Sequence, residues 1–257
     1  MIGVFDSGLG GLSVLRHVRA QLAAADLVYV ADRAHAPYGE RSLDFVRERA
    51  EAITSGLLAA GADVIVIACN TASAAALNHL RQVHPTIPFV GMEPAVKPAA
   101  ASTRSGVIGV LATTATFQGD LFASLIDRHA NGVTVLEQPC PGWADLVEAG
   151  VLDGPEVEAK VRPPVTSLVR QGADTLVLGC THYPFLAPAV QRVAGSGVSL
   201  IDPGGAVAKQ AARTADGIDG ASGSGTTRVL VTGEVTGVAQ LIDQLIGWQA
   251  EIEAVGW

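Results

Sequence analysis

Two of the three cysteines in the chain stand in matching sequence settings more than a hundred residues apart. Cys69 lies in IVIACNTAS and Cys180 lies in LVLGCTHYP, so each follows an apolar run and has a threonine close behind it. In both places a Gly-Ala-Asp tripeptide precedes the apolar run, and its aspartate stands six residues before the cysteine. This self-similarity indicates two related halves that each carry one thiol.

A chemical role is favoured for these two thiols. A lone cysteine at the end of a buried strand is usually a small core residue, and we interpret Cys140, which lies outside the repeated pattern, in that way. Cys69 and Cys180, however, are each followed by hydroxyl and amide or imidazole groups. We expect a helix N-terminus after each of them to lower the pKa of the thiol below its free value of about 8.5.

Inversion of a carbon centre is the reaction that two mirrored thiols suit best. A proton must leave one face of the carbon and another must arrive on the opposite face, which a single fixed base cannot achieve. One group therefore acts as thiolate and the other as thiol, with the roles exchanged by direction. Asp6 is expected to assist one thiol and His182 the other. Reversible thiol redox exchange is the alternative interpretation of the pair.

The elements that must position these groups alternate along almost the whole chain. Predicted strands are continuous apolar runs, which is typical of parallel sheets covered by helices on both faces. Between residues 42 and 60, apolar residues recur at steps of three and four and predict a helix, with Ser42 as N-cap and Gly61 at its end. The predicted strands are 2–5, 27–31, 64–68, 87–90, 107–111, 133–136, 175–178, 198–201 and 228–232, and a helix at 238–248 closes the chain.

This pattern predicts an α/β fold of two similar domains with mostly parallel sheets, which are flavodoxin-like halves facing each other across a cleft. The first domain is expected to comprise residues 1–92 and 207–257, and the second residues 93–206. Ligands of open parallel sheets bind beyond the carboxyl ends of strands. Polar clusters fall at four such ends: Asp6-Ser7-Gly8, Cys69-Asn70-Thr71, residues 113–116, and Cys180-Thr181-His182.

Composition excludes several classes of function. Hydrophobic residues make up 49% of the chain, so a folded protein is expected rather than a disordered one. The formal net charge of -8 and the lack of a basic cluster disfavour a nucleic-acid partner. No apolar run approaches the roughly 18 residues of a membrane span, and the start of the chain does not resemble a signal peptide. We therefore expect a cytoplasmic protein without membrane association.

No metal and no cofactor are expected. The three cysteines form no CxxC pair, and the six histidines do not stand near them at zinc-site spacing. The run DSGLGG lacks the lysine of a phosphate-binding loop. A pyridoxal lysine motif is not evident either. A Gly/Ser-rich stretch at 221–226 predicts a surface loop.

Taken together, the motifs resemble those of the glutamate racemases, a cofactor-independent group of the aspartate/glutamate racemase superfamily. The matching segments are FDSGLGGLSV, DRAHAPYGERS, ACNTAS, ATTAT, LVEAG and GCTHYP. The resemblance implies two α/β domains facing each other across the site, often in homodimers. It also implies conversion of L-glutamate to D-glutamate for peptidoglycan.

The resemblance further implies that Cys69 and Cys180 are the acid/base thiols. Asp6 would assist Cys69, whereas His182 and Glu148 would assist Cys180. The implied substrate contacts are Asp6, Ser7, Tyr38, Gly39, Asn70, Thr71, Thr113, Thr116, Thr181 and His182. Two other functions are kept open: racemisation of another acidic amino acid such as aspartate, and non-catalytic binding of a carboxylate.

Overall fold

The computed structural model describes residues 1–118, 120–216 and 223–257, in which strands and helices alternate. The strands are β1 Ile2–Asp6, β2 Leu27–Ala31, β3 Val64–Ile67, β4 Phe89–Val90, β5 Val107–Ala112, β6 Thr134–Pro139, β7 Thr175–Leu178, β8 Ser199–Ile201, β9 Thr227–Thr232 and β10 Ile252–Val255. The helices are α1 Leu12–Gln21, α2 Leu43–Ala59, α3 Asn70–Val83, α4 Val96–Ser102, α5 Thr114–Gln118, α6 Asp120–His129, α7 Trp143–Glu148, α8 Pro155–Arg170, α9 Ala187–Ala194, α10 Gly204–Ala215 and α11 Val238–Ile246. Short 3₁₀ turns span Arg33–His35, Tyr38–Glu40 and Tyr183–Leu186.

The strands form two sheets, and every strand pair in them is parallel. One sheet has six strands in the order β10-β9-β2-β1-β3-β4, and the other has four in the order β6-β5-β7-β8. The order β2-β1-β3-β4 is thus repeated by β6-β5-β7-β8. Ile2 lies opposite Val64 in the first sheet, and Ile108 lies opposite Thr175 in the second. The predicted α/β class with two similar halves is confirmed.

We call the part built on the six-stranded sheet the first half and the part built on the four-stranded sheet the second half. Strands β9 and β10 return to the first half from the end of the chain. Sequence patterning did not predict β10, because this edge strand has no continuous buried run: its two middle residues are exposed. The domain boundaries given above, 1–92 with 207–257 and 93–206, stay a prediction.

Helix α2 illustrates how the sequence covers a sheet. The hydroxyl of Ser42 accepts a hydrogen bond from the N–H of Phe45 at 3.3 Å, so Ser42 is the predicted N-cap. Gly61 follows the helix with a φ of 91°, a left-handed conformation that suits glycine. The stripe at steps of three and four is buried against the first sheet, and each fully buried leucine, isoleucine or valine contributes about 1.5–3 kcal/mol. Its buried members are Val46, Ala50, Ile53 and Leu57.

The sequence pattern predicts a helix from about Ser73 to Gln82, but helix α3 begins three residues earlier, at Asn70. Cys69 is its N-cap, and the thiol accepts a hydrogen bond from the N–H of Ala72 at 3.4 Å. The earlier start places Asn70 and Thr71 in the first helical turn.

Two further findings concern the surface of the chain. The predicted loop at 221–226 begins with two residues, 221 and 222, that lie outside the described residues. Beyond them, Ser224 and Thr226 bind the carboxylate of Asp26 through backbone and hydroxyl groups. Within the described ranges, no helix is both long and apolar enough to cross a bilayer.

Candidate active site

One cavity of about 190 Å³ is lined by residues that follow strands of both sheets. Most of the predicted site residues are among those lining it: Ser7, Tyr38, Gly39, Cys69, Asn70, Thr71, Thr113, Glu148, Cys180, Thr181 and His182. The other two lie directly behind the wall. Asp6 contacts Ser7 and Thr181, and Thr116 contacts Thr71 and Thr113. The structure therefore brings all of the predicted site residues to one place.

Cys69 is supplied by the first half, at the junction between β3 and α3. It is 5% exposed, and its Sγ lies 4.0 Å from the hydroxyl oxygen of Ser7. Burial, together with the negative charge of Asp6, raises the pKa of the Cys69 thiol well above its ordinary value, although the N–H of Ala72 acts in the opposite direction. The expectation that the helix N-terminus would lower this pKa is therefore wrong, because burial and a neighbouring carboxylate outweigh one hydrogen bond.

Asp6 ends β1 and is completely buried. Its Oδ2 accepts a hydrogen bond from the N–H of Gly11 at 2.7 Å, and its Oδ1 lies 3.4 Å from the hydroxyl of Ser7. Burial raises the pKa of this carboxyl group, while the charge of His182 and the Gly11 N–H partly offset the effect. Asp6 is thus a carboxyl group of raised basicity, fixed beside the cavity.

Cys180 is supplied by the second half, after β7, and a 3₁₀ turn follows it rather than an α-helix. Its Sγ lies 3.7 Å from Nδ1 of His182, and Nε2 of the same ring lies 2.9 Å from Oε1 of Glu148. Burial disfavours the charge on His182, but the hydrogen bonds to Cys180 and Glu148 raise the pKa of the imidazole well above its usual range. The thiol of Cys180, the imidazolium of His182 and the carboxylate of Glu148 therefore form a continuous hydrogen-bonded series.

Glu148 remains ionised in this series although it is largely buried. Burial alone would raise its pKa, but the hydrogen bond and charge of His182, the N–H of Leu9 and the charge of Arg33 together lower it. Leu9 donates to Oε1 at 2.5 Å and Arg33 Nε donates to Oε2 at 3.1 Å. Both oxygens of the carboxylate are therefore occupied.

The glycines of DSGLGG allow the two halves to approach closely. A side-chain methyl group at Gly8 would overlap the carboxylate of Glu148, and one at Gly10 would overlap the ring of His182. These positions require glycine because another part of the chain fills the space, which is one of the general uses of glycine.

The remaining polar wall of the cavity offers neutral hydrogen-bonding groups. The hydroxyl oxygens of Thr71 and Thr113 are 3.0 Å apart, and that of Thr116 lies 2.9 Å from Thr113 and 3.3 Å from Thr71. The side-chain nitrogen and oxygen of Asn70 are both buried without a hydrogen-bond partner among the described atoms. An amide in this condition is available to a ligand that carries both a donor and an acceptor.

A buried carboxylate anchors the loop that carries Tyr38 and Gly39. Asp32 is completely buried and accepts hydrogen bonds from the hydroxyl of Tyr38 at 2.5 Å and from two nitrogens of Arg49 at 3.0 Å each. Burial alone would raise the pKa of Asp32, but the bonds from Arg49, Tyr38 and Thr232 lower it. The Tyr38 hydroxyl therefore uses its proton in the hydrogen bond to Asp32.

Sequence reasoning missed some of the cavity wall. Arg33, Ala36, Ala144 and Asp145 line the cavity but were not singled out. The motif DRAHAPYGERS contains the first two, and the position of Arg33 directly after Asp32 was the available signal. Asp145 and Ala144 lie on α7, one turn before Glu148, so the helical period could have indicated them.

Among the described residues, the His, Cys, Asp and Glu side chains form no group of three or more that could hold a metal ion. All three cysteines are free thiols. Cys140 is buried and its Sγ lies 3.4 Å from the carbonyl of Gln138, in agreement with a structural role.

Comparison with known proteins gives a consistent result. The sequence profile described as Asp/Glu/hydantoin racemase matches residues 2–211. A glutamate racemase of Ectopseudomonas mendocina is 49% identical over 253 residues, which cover 98% of this chain and 96% of that protein.

Solved structures agree with the sequence relatives. The crystal structure of glutamate racemase isoform RacE1 from Bacillus anthracis superposes with a TM-score of 0.89 at 29% identity, covering 100% of this chain and 97% of that one. The Escherichia coli glutamate racemase, solved with L-glutamate and the activator UDP-MurNAc-ala, superposes with a TM-score of 0.88 at 32% identity, covering 98% and 96%.

Proposed function

The chain belongs to the Asp/Glu/hydantoin racemase family, and we propose that it inverts glutamate by passing protons through Cys69 and Cys180. It is an amino-acid isomerase that racemises glutamate. The observation that carries the two-thiol proposal is that both cysteines, supplied by different sheets, line the same cavity. A substrate bound in this cavity is surrounded by a wall that contains one thiol from each half of the protein.

Substrate binding is proposed to use the neutral groups of the wall. Glutamate brings an ammonium group and two carboxylates. The unpartnered amide of Asn70 can accept from the ammonium and donate to a carboxylate. The first turn of α3 adds free backbone N–H groups, which favour an anion. The hydroxyls of Thr71, Thr113 and Thr181 supply further donors.

The proposed reaction transfers one proton in each of two steps. A thiolate on one side removes the proton from Cα and becomes a thiol, which leaves a carbanion. The thiol on the other side then donates its proton to the opposite face and becomes the thiolate. Each turnover therefore leaves the two cysteines with exchanged protonation states, and a proton must cross back before the same direction can be repeated.

Burial serves this chemistry because Cα–H is a weak acid. A thiolate in a dry site is more basic than one in water, so the raised pKa of Cys69 brings the base closer to the acidity it must match. Fixed dipoles of the cavity stabilise the developing carbanion without reorganisation of solvent. We propose that Asp6 moves or holds a proton for Cys69, and that His182, backed by Glu148, does so for Cys180.

Single cysteine variants test the proposal. Cys69→Ser and Cys180→Ser should each lower racemisation by about 1,000-fold or more in both directions, because each turnover needs both groups. Cys140→Ser is the matched control and should racemise glutamate as the unchanged chain does, since this thiol lies outside the cavity wall. The rate is followed by the circular dichroism of L- or D-glutamate.

Other outcomes would identify the competing functions. In heavy water, the two-thiol reaction places solvent deuterium in the product enantiomer first, whichever enantiomer is supplied. Faster turnover of aspartate than of glutamate would make the chain an aspartate racemase. Binding of glutamate without turnover would favour a carboxylate-binding module, and a reversible disulfide between the two thiols would favour redox exchange.

We also propose that the D-glutamate supplies peptidoglycan synthesis, and that the protein acts in the cytoplasm as a homodimer. The two domains are proposed to comprise residues 1–92 with 207–257, and residues 93–206. Membership of the strands in two sheets supports this division. Sedimentation velocity tests the dimer, and growth of cells depleted of the protein on added D-glutamate tests the cell-wall role.

A further inference from the structure

Arg33 reaches from the first half to the carboxylate of Glu148 in the second. It begins the 3₁₀ turn after β2, whereas Glu148 ends α7. Arg33 Nε donates to Oε2 of Glu148 at 3.1 Å, and Nη1 lies 3.5 Å from the carbonyl of Glu234 in the first half.

This contact differs from an ordinary surface ion pair. The side chains of Arg33 and Glu148 are only 26% and 18% exposed, and both line the cavity. Exposed pairs contribute little because water and salt screen them. Here Oε1 of the same carboxylate accepts from Leu9 and faces His182, so a change at one oxygen is transmitted to the other.

We propose that Arg33 is a positioning residue, which holds the carboxylate of Glu148 in place against His182. It thereby links the first half to the side of the cavity that carries Cys180. Two donors from the first half, Arg33 and the Leu9 N–H, hold a carboxylate whose third partner is His182. This inference rests on the proposed function of His182 and Cys180.

The pH dependence of the reaction should report this role. Removal of the Arg33 cation raises the pKa of Glu148, because its charge is one of the influences that lower that pKa. Protonated Glu148 no longer supports the imidazolium of His182. The acid limb of the plot of kcat/KM against pH should therefore move to higher pH in Arg33→Gln. The ionisations of the substrate also shape this plot, but they are the same for every variant and do not cause the shift.

The size of the effect follows from the strength of a hydrogen bond to a charged group. Arg33→Gln should lower kcat/KM by about tenfold, mainly through kcat. The fall must be equal for the two enantiomers, because L- and D-glutamate have equal free energies in solution. Arg33→Lys, which keeps the charge but loses the fixed geometry of the guanidinium, should retain more activity and a smaller shift of the acid limb.

Arg41→Gln is a matched control. Arg41 lies eight residues further along the same loop, outside the cavity wall, with its guanidinium 5.4 Å from the ring centroid of Phe45. The variant loses the same charge and should keep the unchanged chain's pH profile. Thermal unfolding followed by circular dichroism checks that every variant is folded. If Arg33→Gln does not fold, the pH profile of Arg33→Lys is compared with that of the unchanged protein instead.

The outcomes separate the inference from the function on which it depends. An acid limb that moves in Arg33→Gln but not in Arg41→Gln supports the proposal. A raised KM with unchanged kcat and an unmoved limb would make Arg33 a substrate ligand and overturn it, and so would equal profiles for the two variants. Absence of racemisation by the unchanged protein would instead refute the proposed function.

Discussion

The two thiols occupy equivalent places in the two halves but have different surroundings. Cys69 and Cys180 follow β3 and β7, which are matching strands of the repeated order. Cys69 caps a long helix beside the hydroxyl of Ser7 and the carboxyl of Asp6. Cys180 precedes a 3₁₀ turn beside the imidazole of His182.

This difference shows which level of the structure sets each property. Strand order determines where the sulfur atoms lie, because parallel strands deliver their carboxyl ends to the same edge of a sheet. The residues after each strand determine the charge that the sulfur experiences. The negative charge of Asp6 disfavours a thiolate at Cys69, whereas the side chain beside Cys180 is the imidazole of His182, whose own pKa is raised. Similar halves thus place two thiols in chemically distinct surroundings.

Among the variants that test this difference between the two thiols, the largest expected effect comes from removing the imidazole beside Cys180. His182→Asn should lower kcat by about 100-fold, because the imidazole that joins Cys180 to Glu148 is lost. The rate is measured by circular dichroism with either enantiomer. His79→Asn is the matched control, since His79 also pairs with a glutamate, Glu51, at 3.0 Å but stands outside the cavity wall.

Equal activity of the two histidine variants would contradict the comparison. It would mean that the hydrogen-bonded series behind Cys180 is structural and that the two thiols work in equivalent environments. A loss confined to His182→Asn would show that the imidazole is what makes the Cys180 side different.

The next effect concerns the carboxyl group on the other side. Asp6→Asn removes the charge that helps to raise the pKa of Cys69, so that pKa should fall. The ultraviolet absorbance of the thiolate, followed against pH in a chain that also carries Cys140→Ser and Cys180→Ser, measures this shift. In the chain with all cysteines present, Asp6→Asn should lower kcat by about tenfold through loss of an acid/base partner.

A carboxylate remote from the cavity provides the control for that titration. Asp63 is half-exposed and pairs with the amino terminus of the chain. Asp63→Asn in the same background should leave the Cys69 titration unchanged. An unchanged titration in Asp6→Asn as well would show that burial alone sets the state of Cys69, and the proposed electrostatic contrast between the thiols would be wrong.

Much of the architecture could be predicted from the sequence because it depends on local patterns. The apolar runs gave strands such as 27–31 and 175–178 with their observed bounds. Strand β10 escaped prediction because it lies at a sheet edge, where one side of the strand needs no apolar partner. Helix α3 began early because a thiol served as N-cap, a role that sequence rules assign to Ser, Thr, Asp or Asn.

Residues that line the cavity could be predicted from the sequence, but their electrostatics could not. Motifs at strand ends indicated Cys69, Cys180 and His182, because the expected chemistry calls for those residue types there. The raised pKa of Cys69 could not be predicted, since it depends on how completely the folded chain excludes water from the sulfur. The contact between Arg33 and Glu148 joins residues 115 positions apart, and only the packing of the two halves brings them together.

The smallest expected effect concerns how each cysteine loop is held. Two buried serines each lie within hydrogen-bonding distance of a backbone carbonyl. Ser13 Oγ on α1 is 2.8 Å from the carbonyl oxygen of Thr181, across the two halves. Ser73 Oγ on α3 is 3.3 Å from the carbonyl oxygen of Ile67 within the first half, where it also accepts from the N–H of Met92 at 2.9 Å. Each hydroxyl therefore secures the loop near one thiol.

Ser13→Ala should cost about 1 kcal/mol in the free energy of unfolding, measured with urea, because one hydrogen bond is lost. Ser73→Ala should cost about 2 kcal/mol, because that hydroxyl makes two hydrogen bonds. Only Ser13→Ala should also lower kcat, by about threefold, since small displacements of a positioned group slow proton transfer and the Thr181 carbonyl loses its tie to α1. Cys69 stays fixed in Ser73→Ala, because its own carbonyl accepts from the N–H of residue 73, which alanine retains. Equal losses of kcat in the two variants would show that the Cys180 loop does not depend on the first half for its position.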